Sequence, residues 1–287
     1  MTKGVLVGKV VNGKLITGRE PWVSCWDQGL LYGYGLFETM RVYGGRIFAL
    51  KAHMQRLLLS CTQLGIDTGV FLDNLVRVAE EYVAVNELDN GALRLTLTKG
   101  DPLRGIHPAV VFFSRELTYS FQDYEQGFSA VISHIRRNQT SPLVYHKTLN
   151  YLENLLALEE ARKVGAQEAL FLNTDYRLAE GTISNLFFVR DKVVHTPAVT
   201  CGLLAGITRQ TVIDLATAGG CRIVEGEYAL EDLLAADEAF LTNSLMEVMP
   251  LVKVGENPIS HGKPGRITRD LLERYRELAL MEESSAF

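Results

Sequence analysis

A run of short strands with little between them constrains the fold of this chain more than any other feature. Apolar and alternating residues predict strands at 168–173, 177–180, 184–190 and 192–196. No segment between them is long enough for a helix, whereas the parallel strands of a doubly wound sheet are connected by helices. The second half of the chain is therefore predicted to be α+β.

The first part of the sequence predicts a smaller α/β domain. Asn12-Gly13 is a two-residue turn signal that predicts a hairpin over residues 4–16. Apolar residues at helical spacing predict helices over 50–64 and 70–87, and clean alternation predicts a strand over 92–98.

Domain limits follow from a polar, weakly patterned stretch after this part. We predict a small α/β domain at 1–117, a linker at 118–126 and a larger domain at 127–287. The larger domain is predicted to contain a long helix over 149–164 and to place Lys147 at the mouth of that helix.

Composition and charge argue against several classes of partner. The 287 residues are 47% hydrophobic, and the net charge is −5 without a basic run, so nucleic acid is not expected. The N-terminus lacks a signal-peptide apolar region, and no apolar run approaches the roughly 20 residues of a membrane helix. The four cysteines are scattered, which favours reduced thiols and a cytoplasmic location.

Three features of residues 146–209 could together carry chemistry. Lys147 could act as a nucleophilic amine, although most lysines are simply solvated. Glu180 precedes Gly181 and on its own is an ordinary turn carboxylate. Gly206 precedes a predicted helix whose free N–H groups would attract an anion, and Thr242-Asn243-Ser244 could add further donors. An amine, a carboxylate and an anion site are what pyridoxal phosphate requires.

Other catalytic patterns are not found in the sequence. The six histidines show no metal-ligand spacing, so no metal is assigned. The glycines of 29–35 do not follow the dinucleotide-binding pattern, and no Gly-x-Ser-x-Gly nucleophile elbow is present.

Taken together, these residues resemble the class IV aminotransferase family, the fold-type IV pyridoxal-phosphate enzymes. The resemblance extends to Phe37-Glu38-Thr39, His53–Leu57 and Lys147–Tyr151. Its densest part lies at Glu180, Thr182, Asn185, Leu186, Phe187, Val194, Thr196, Leu204, Gly206, Ile207 and Arg209.

The resemblance implies a role for each matching residue. Lys147 would be the Schiff-base lysine and Glu180 would face the pyridine nitrogen. The remaining cofactor-binding residues, for the phosphate, the ring face and their surroundings, would be Arg56, Leu203, Gly206, Ile207, Thr208, Thr242 and Asn243. The family fold joins a small α/β domain to a larger one, with the active site at their interface in a homodimer.

Within the family, the sequence looks closest to aminodeoxychorismate lyases. Asn243–Pro250 and Lys99–Gly105 carry this likeness, whereas Gln28 and Tyr34 depart from the family's common entrance loop. The expected activity is conversion of 4-amino-4-deoxychorismate to 4-aminobenzoate and pyruvate. The candidate substrate residues are Tyr32, Phe37, Arg94 and Arg104.

Two alternatives stay open at this point. One is an aminotransferase for branched-chain L-amino acids or D-amino acids, because Arg94 also aligns with a carboxylate-binding arginine of branched-chain enzymes. The other is a non-catalytic paralogue that carries pyridoxal phosphate. The fold cannot separate the two reactions, since the same lysine performs both.

Overall fold

The structure divides into two compact units. It is a computed structural model that describes residues 6–11, 14–18, 23–67 and 72–281. The first unit extends to Thr118 and also includes His146–Asn150, and the second contains Tyr119–Tyr145 and the chain from Tyr151 onward.

The segment predicted as a linker, 118–126, contains a short helix and lies mostly in the second unit. This helix, Phe121–Gln126, begins at a capping box in which Ser120 and Asp123 exchange side-chain and backbone hydrogen bonds. The apolar spacing of so short a helix is too weak to reveal it in the sequence.

The first unit contains a six-stranded antiparallel sheet. Its strands are β1 (Leu6–Val11), β2 (Lys14–Gly18), β3 (Gly35–Tyr43), β4 (Arg46–Ile47), β5 (Gly91–Thr98) and β6 (Ala109–Arg115). Their order across the sheet is β2-β1-β6-β5-β3-β4. β1 and β2 pair as the predicted hairpin, whose Asn12-Gly13 turn lies outside the described residues.

Three helices accompany this sheet: α1 (Gln28–Tyr32), α2 (Leu50–Gln63) and α3 (Leu72–Val85). The helices predicted over 50–64 and 70–87 correspond to α2 and α3. Their apolar residues, including Met54, Leu57 and Leu75, form one core with Met40 of β3 and Leu93 of β5. Each such side chain contributes about 1.5–3 kcal/mol when it is withdrawn from water. This core fixes α2 against β3.

The backbone of Lys147 is attached to the sheet of the first unit. The N–H of Phe37 donates to the Lys147 carbonyl at 2.9 Å, and the N–H of Leu149 donates to the Gly35 carbonyl at 3.0 Å. The following helix begins only at Leu152, so the prediction that Lys147 stands at the mouth of a helix from 149 was wrong. Apolar spacing does reach back to Leu149, but the backbone there is used for pairing with β3.

The second unit is built around a sheet that closes on itself. Its strands are β7 (Phe128–Arg137), β8 (Glu168–Asn173), β9 (Leu178–Gly181), β10 (Asn185–Arg190), β11 (Val193–Pro197), β12 (Ile223–Gly226), β13 (Glu238–Asn243), β14 (Glu247–Val254) and β15 (Asn257–Pro258). The ring runs β10-β13-β14-β7-β8-β9 and returns to β10 through the pairing of Asn185 with Glu180.

The helices of the second unit are α4 (Phe121–Gln126), α5 (Leu152–Lys163), α6 (Ile207–Ala218), α7 (Leu230–Leu234) and α8 (Arg266–Met281). β8 to β11 follow one another without helices between them. Elsewhere in this unit, helices and strands are interspersed. The architecture confirms the predicted α+β class. In the part of the chain that the structure describes, no helix combines the length and apolarity needed to cross a membrane.

Candidate active site

In the first unit, Lys147 and Arg94 both lie against the ring of Phe37. The Nζ atom of Lys147 is 4.4 Å from the ring centroid, and the guanidinium carbon of Arg94 is 3.8 Å from it. Phe37 pairs with Thr96 across β3 and β5, and Arg94 is two residues from Thr96, on the same face of the sheet. The structure therefore brings together the predicted base and two predicted substrate residues.

The opposite face of β3 carries the buried carboxylate of Glu38, which is contacted by two side chains of α2, those of Arg56 and His53. Arg56 donates from Nε to Oε1 at 2.9 Å and from Nη2 to Oε2 at 2.6 Å. His53 Nδ1 lies 2.8 Å from Oε2. His53 and Arg56 stand three residues apart on α2, so both side chains face β3.

Electrostatics fixes the charges of this cluster. Burial alone would raise the pKa of Glu38, but the Arg56 charge and the hydrogen bonds from His53 and Arg56 outweigh it and lower the pKa to about 2. Burial lowers the pKa of His53, against the opposing effect of Glu38. An ionised carboxylate, a neutral imidazole and a guanidinium result at neutral pH.

The other two predicted substrate residues lie elsewhere in the first unit. Tyr32 ends α1 with 71% of its surface exposed. Arg104 forms an ion pair with Asp101, and its guanidinium carbon lies 5.1 Å from the ring centroid of Trp26. Their roles toward substrate stay predictions.

In the second unit, three polar residues form a row across neighbouring strands. Asn185 of β10 pairs with Glu180 of β9 on one side and with Thr242 of β13 on the other. Directly paired residues project from the same face of a sheet, so these three side chains share one face. The row contains the predicted partner of the pyridine nitrogen and a predicted phosphate ligand.

Both carboxylate oxygens of Glu180 receive donors. Arg137 Nη2 lies 3.1 Å from Oε1, and the backbone N–H of Leu204 donates to Oε2 at 3.1 Å. The Arg137 guanidinium carbon lies 4.2 Å from the centroid of the Phe171 ring, which limits its rotation. Glu180 is thus held in one orientation by charge and by backbone.

The loop before α6 is attached to the same row. Asn185 Nδ2 donates to the Leu204 carbonyl at 2.8 Å. The preceding residue, Leu203, is buried. Gly206 is the N-cap of α6, and a Cβ there would collide with Asn185 Oδ1. Because Gly206 has no side chain, the N–H groups of the first turn, at Ile207 and Thr208, carry no side-chain cap.

The hydroxyl of Thr242 is buried without a partner in the described structure. The residue is 1% exposed, and its Oγ1 makes no hydrogen bond among the residues described. Such a group costs free energy unless something binds to it. A phosphate would accept this hydroxyl's hydrogen, and an uncapped helix N-terminus attracts the same anion. The residues present therefore fit the phosphate of the predicted cofactor.

The turn after Thr242 is fixed by the side chain of Asn243. Its Nδ2 donates to the Ile183 carbonyl at 2.9 Å, and its Oδ1 accepts the N–H groups of Leu245 and Met246, each at 2.8 Å. In the structure Asn243 thus anchors the turn that carries Thr242.

Sequence reasoning missed two charged residues of this unit, Arg137 and Glu168. Glu168 is fully buried and accepts hydrogen bonds from the N–H and hydroxyl of Thr182 and from the Ser184 hydroxyl, the last at 2.7 Å. Burial raises the pKa of its carboxyl. It fixes the turn between Glu180 and Asn185. An acidic residue at the start of an apolar strand, opposite a Thr-x-Ser turn, was the available signal.

Comparison with known proteins places the chain in a family. The amino-transferase class IV family profile matches residues 35–254. A Methanocaldococcus jannaschii protein to which branched-chain-amino-acid aminotransferase activity is attributed is 35% identical over 93% of this chain and 95% of its own length. The aminodeoxychorismate lyase of Bacillus subtilis is 33% identical over 93% of each chain. A D-alanine aminotransferase of Staphylococcus epidermidis is 29% identical over 93% of this chain and 96% of its own.

Solved structures agree with this relationship. The branched-chain amino acid aminotransferase of Escherichia coli superimposes with a TM-score of 0.90 at 26% identity, over 100% of this chain and 98% of that one. Another branched-chain amino acid aminotransferase, solved with pyridoxamine 5'-phosphate, gives a TM-score of 0.88 at 29% identity, over 97% and 95%. The chain therefore belongs to the class IV aminotransferase family and has the fold-type IV architecture of these pyridoxal-phosphate-dependent enzymes.

Proposed function

We propose that this chain is a 4-amino-4-deoxychorismate lyase that forms 4-aminobenzoate and pyruvate, a step toward folate. The observation that carries the proposal is the placement of Lys147 and Arg94 against one ring, that of Phe37. The reaction needs a base close to a group that binds a carboxylate, and the substrate carries two carboxylates. The likeness of Asn243–Pro250 to lyase sequences and the relative from Bacillus subtilis support the choice of reaction.

Lys147 is the proposed base. Its Nζ takes the proton from the ring carbon that bears nitrogen, and later returns a proton to the leaving enolpyruvate, which becomes pyruvate. The C–O bond to the enolpyruvyl group breaks, and the ring of the product becomes aromatic. Arg94 binds a substrate carboxylate through its guanidinium, and Arg104 is the second candidate for this task. No further reactant is consumed.

The remaining residues hold the cofactor. Bound pyridoxal phosphate supplies the electron sink for the pair released when the C–H bond breaks. Glu180 would serve as the acceptor that keeps the pyridine nitrogen protonated, and Arg137 and the Leu204 N–H hold its carboxylate in place. Arg56 is the proposed phosphate ligand of the first unit, and Thr242 and the N–H groups at the start of α6 are the proposed phosphate ligands of the second.

An aminotransferase is the second candidate, and the same arrangement around Phe37 supports it. Arg94 suits the carboxylate of an amino acid as well as that of the larger substrate. In this reaction Lys147 would again be the base, no leaving group would be released, and an amino acceptor would be consumed. The relatives from Methanocaldococcus jannaschii and Staphylococcus epidermidis favour this alternative.

We also propose that the enzyme is a homodimer. Five large apolar side chains are exposed in or near α1 and the loop after β5: Trp26, Leu30, Leu31, Tyr32 and Leu103. Exposed apolar groups in this number typically mark a protein interface. A second copy of the chain is the proposed partner, and sedimentation velocity at micromolar concentration should give the mass of two chains. A single-chain mass across that range would refute the dimer.

The test of function compares the two reactions in parallel. Purified enzyme is given enzymatically made 4-amino-4-deoxychorismate, and pyruvate is followed with lactate dehydrogenase. A second assay contains leucine or D-alanine with 2-oxoglutarate and measures glutamate. Pyruvate release from 4-amino-4-deoxychorismate without an amino acceptor would establish the lyase. Glutamate formation in the second assay, with no pyruvate formed in the first, would establish the aminotransferase.

Two lysine variants control this assay. K147A should abolish turnover in whichever reaction is found, and should lose the borohydride-reducible bond to the cofactor. K163A removes an exposed lysine at the end of α5 and should behave as the native enzyme. Near-normal turnover in K147A would refute the proposed base. Cofactor bound without turnover in either assay would favour the non-catalytic paralogue.

A further inference from the structure

Glu38 is a buried charge for which the proposed reaction supplies no role. It lies in β3 on the face that packs against α2, among apolar residues such as Leu36 and Met40. A carboxylate in such surroundings is costly unless it is paired and hydrogen-bonded. Here it is 1% exposed and receives both Arg56 and His53. An apolar residue would fill this position at a lower free-energy cost, so packing alone does not account for the carboxylate.

The contact with Arg56 is a two-bond, edge-on arrangement. Nε and Nη2 of the guanidinium donate to the two oxygens of the same carboxylate, at 2.9 and 2.6 Å. Two parallel bonds fix the guanidinium plane as well as its position. A long arginine side chain otherwise has many conformations, and a ligand that binds it must restrict them.

His53 restrains the carboxylate from the other side. Its Nδ1 lies 2.8 Å from Oε2, the oxygen that also accepts Arg56 Nη2. Since a carboxylate only accepts, Nδ1 is the protonated nitrogen of this histidine. Glu38 therefore cannot rotate without breaking a bond to α2. Arg56 cannot turn away from Glu38 without leaving the buried carboxylate without its cationic partner.

We propose that Glu38 is a positioning residue for phosphate binding, which holds the Arg56 guanidinium through Nε and Nη2 in the orientation that binds the cofactor phosphate. The proposal rests on the role of Arg56 given above. It goes beyond that role because it makes the affinity for phosphate depend on a residue that does not itself touch the ligand. The expected signature is a loss specific to the phosphate group and transmitted through Arg56.

E38Q is the direct test. Glutamine keeps the size of the side chain but offers an NH₂ group where Arg56 or His53 needs an acceptor, so the two-bond contact cannot persist. The full-length protein, stripped of cofactor, is titrated with pyridoxal 5'-phosphate and, separately, with pyridoxal, which lacks the phosphate. Borohydride trapping measures the bond to Lys147 in each case, and thermal unfolding of each variant is recorded alongside.

The expected result is a split between the two probes. E38Q should bind pyridoxal 5'-phosphate roughly tenfold more weakly or worse, as is typical for a lost charge-assisted contact, and should bind pyridoxal like the native protein. R56A should show the same split. In the R56A background, E38Q should add no more than about a twofold change, because the two residues act in series. E81Q, which breaks the exposed Arg77–Glu81 pair, is the matched control and should change neither affinity.

Several results would overturn the proposal. They are undiminished phosphate affinity in E38Q, an equal loss for both probes, and a full additional loss in the R56A background. If E38Q does not fold, E38D keeps the charge but withdraws it by one methylene. E38D should reproduce the split, and native affinity in E38D would count against an edge-specific role. Failure of the native protein to form a borohydride-reducible bond with either probe would instead refute the proposed role of Lys147.

Discussion

Replacing Thr242 with valine should stabilise the cofactor-free protein and weaken the cofactor complex. Valine has the shape of threonine, with a methyl group in place of the hydroxyl. In the described structure the Thr242 hydroxyl is buried and has no partner, which typically costs about 1–3 kcal/mol. T242V should therefore raise the unfolding free energy of the cofactor-free protein by roughly that amount. Most buried substitutions have the opposite sign.

The same change removes a hydrogen bond to the phosphate. A hydrogen bond to a charged group is worth about 1.5–3 kcal/mol, so affinity for pyridoxal 5'-phosphate should fall about 10- to 100-fold. Affinity for pyridoxal should not change, because pyridoxal has no phosphate. Urea unfolding with and without cofactor, together with titration by the two probes, measures each effect separately.

Thr196 provides the matched control. It is as deeply buried as Thr242, but its hydroxyl donates to the Leu186 carbonyl at 2.8 Å. T196V should destabilise the protein with and without cofactor, since it removes a buried hydrogen bond, and should leave phosphate affinity unchanged. Destabilisation of the cofactor-free protein by T242V, as by T196V, would refute this prediction, as would normal binding of pyridoxal 5'-phosphate by T242V.

Three further predictions concern charge and packing. The unfolding free energy of the native protein minus that of E38Q should shrink as pH falls from 4.5 toward 2. A carboxyl whose pKa is lowered on folding stabilises the folded protein at pH values above its unfolded pKa. This stabilisation is lost as the pH falls through the folded pKa of about 2, and urea midpoints at successive pH values test this. G206A should displace the start of α6, because its Cβ would collide with Asn185 Oδ1, and should weaken phosphate binding without affecting pyridoxal; normal phosphate affinity would contradict it. E168Q should destabilise the protein by about 1–3 kcal/mol, because the amide cannot accept every hydrogen bond at that site; an unchanged urea midpoint would contradict this.

Periodicity predicted most helices and strands, because each needs only local patterning. α2 and α3 occupy the expected stretches, and β8 to β11 follow one another as predicted. Periodicity could not predict the backbone hydrogen bonds that residues around Lys147 make with β3. Its pairing with β3 depends on residues far away in the sequence, whereas the apolar spacing of the neighbouring helix is local and continues past the point where that helix begins.

The charged residues behind the candidate ligands were the least visible in the sequence. Lys147, Glu180 and Arg56 were found through a family pattern, but Glu38, Arg137 and Glu168 were assigned no role. Glu38 and Glu168 lie in strands that otherwise consist largely of apolar residues, and Arg137 ends a strand of mixed composition. A charge there can be solvated or paired, and only the three-dimensional neighbours decide which. Glu38 had one local signal, the His-x-x-Arg spacing of His53 and Arg56 on the next helix.

The attachment of Lys147 to β3 also has a consequence for how the chain acquires activity. The bridge between Leu36 and Thr148 closes a loop of roughly 110 residues, at a cost on the order of 4 kcal/mol in chain entropy. Contacts between such distant parts of a chain slow folding, and during synthesis this one cannot form until Thr148 has left the ribosome. Until this bridge forms, Lys147 is not held beside Phe37 and is an ordinary solvated lysine.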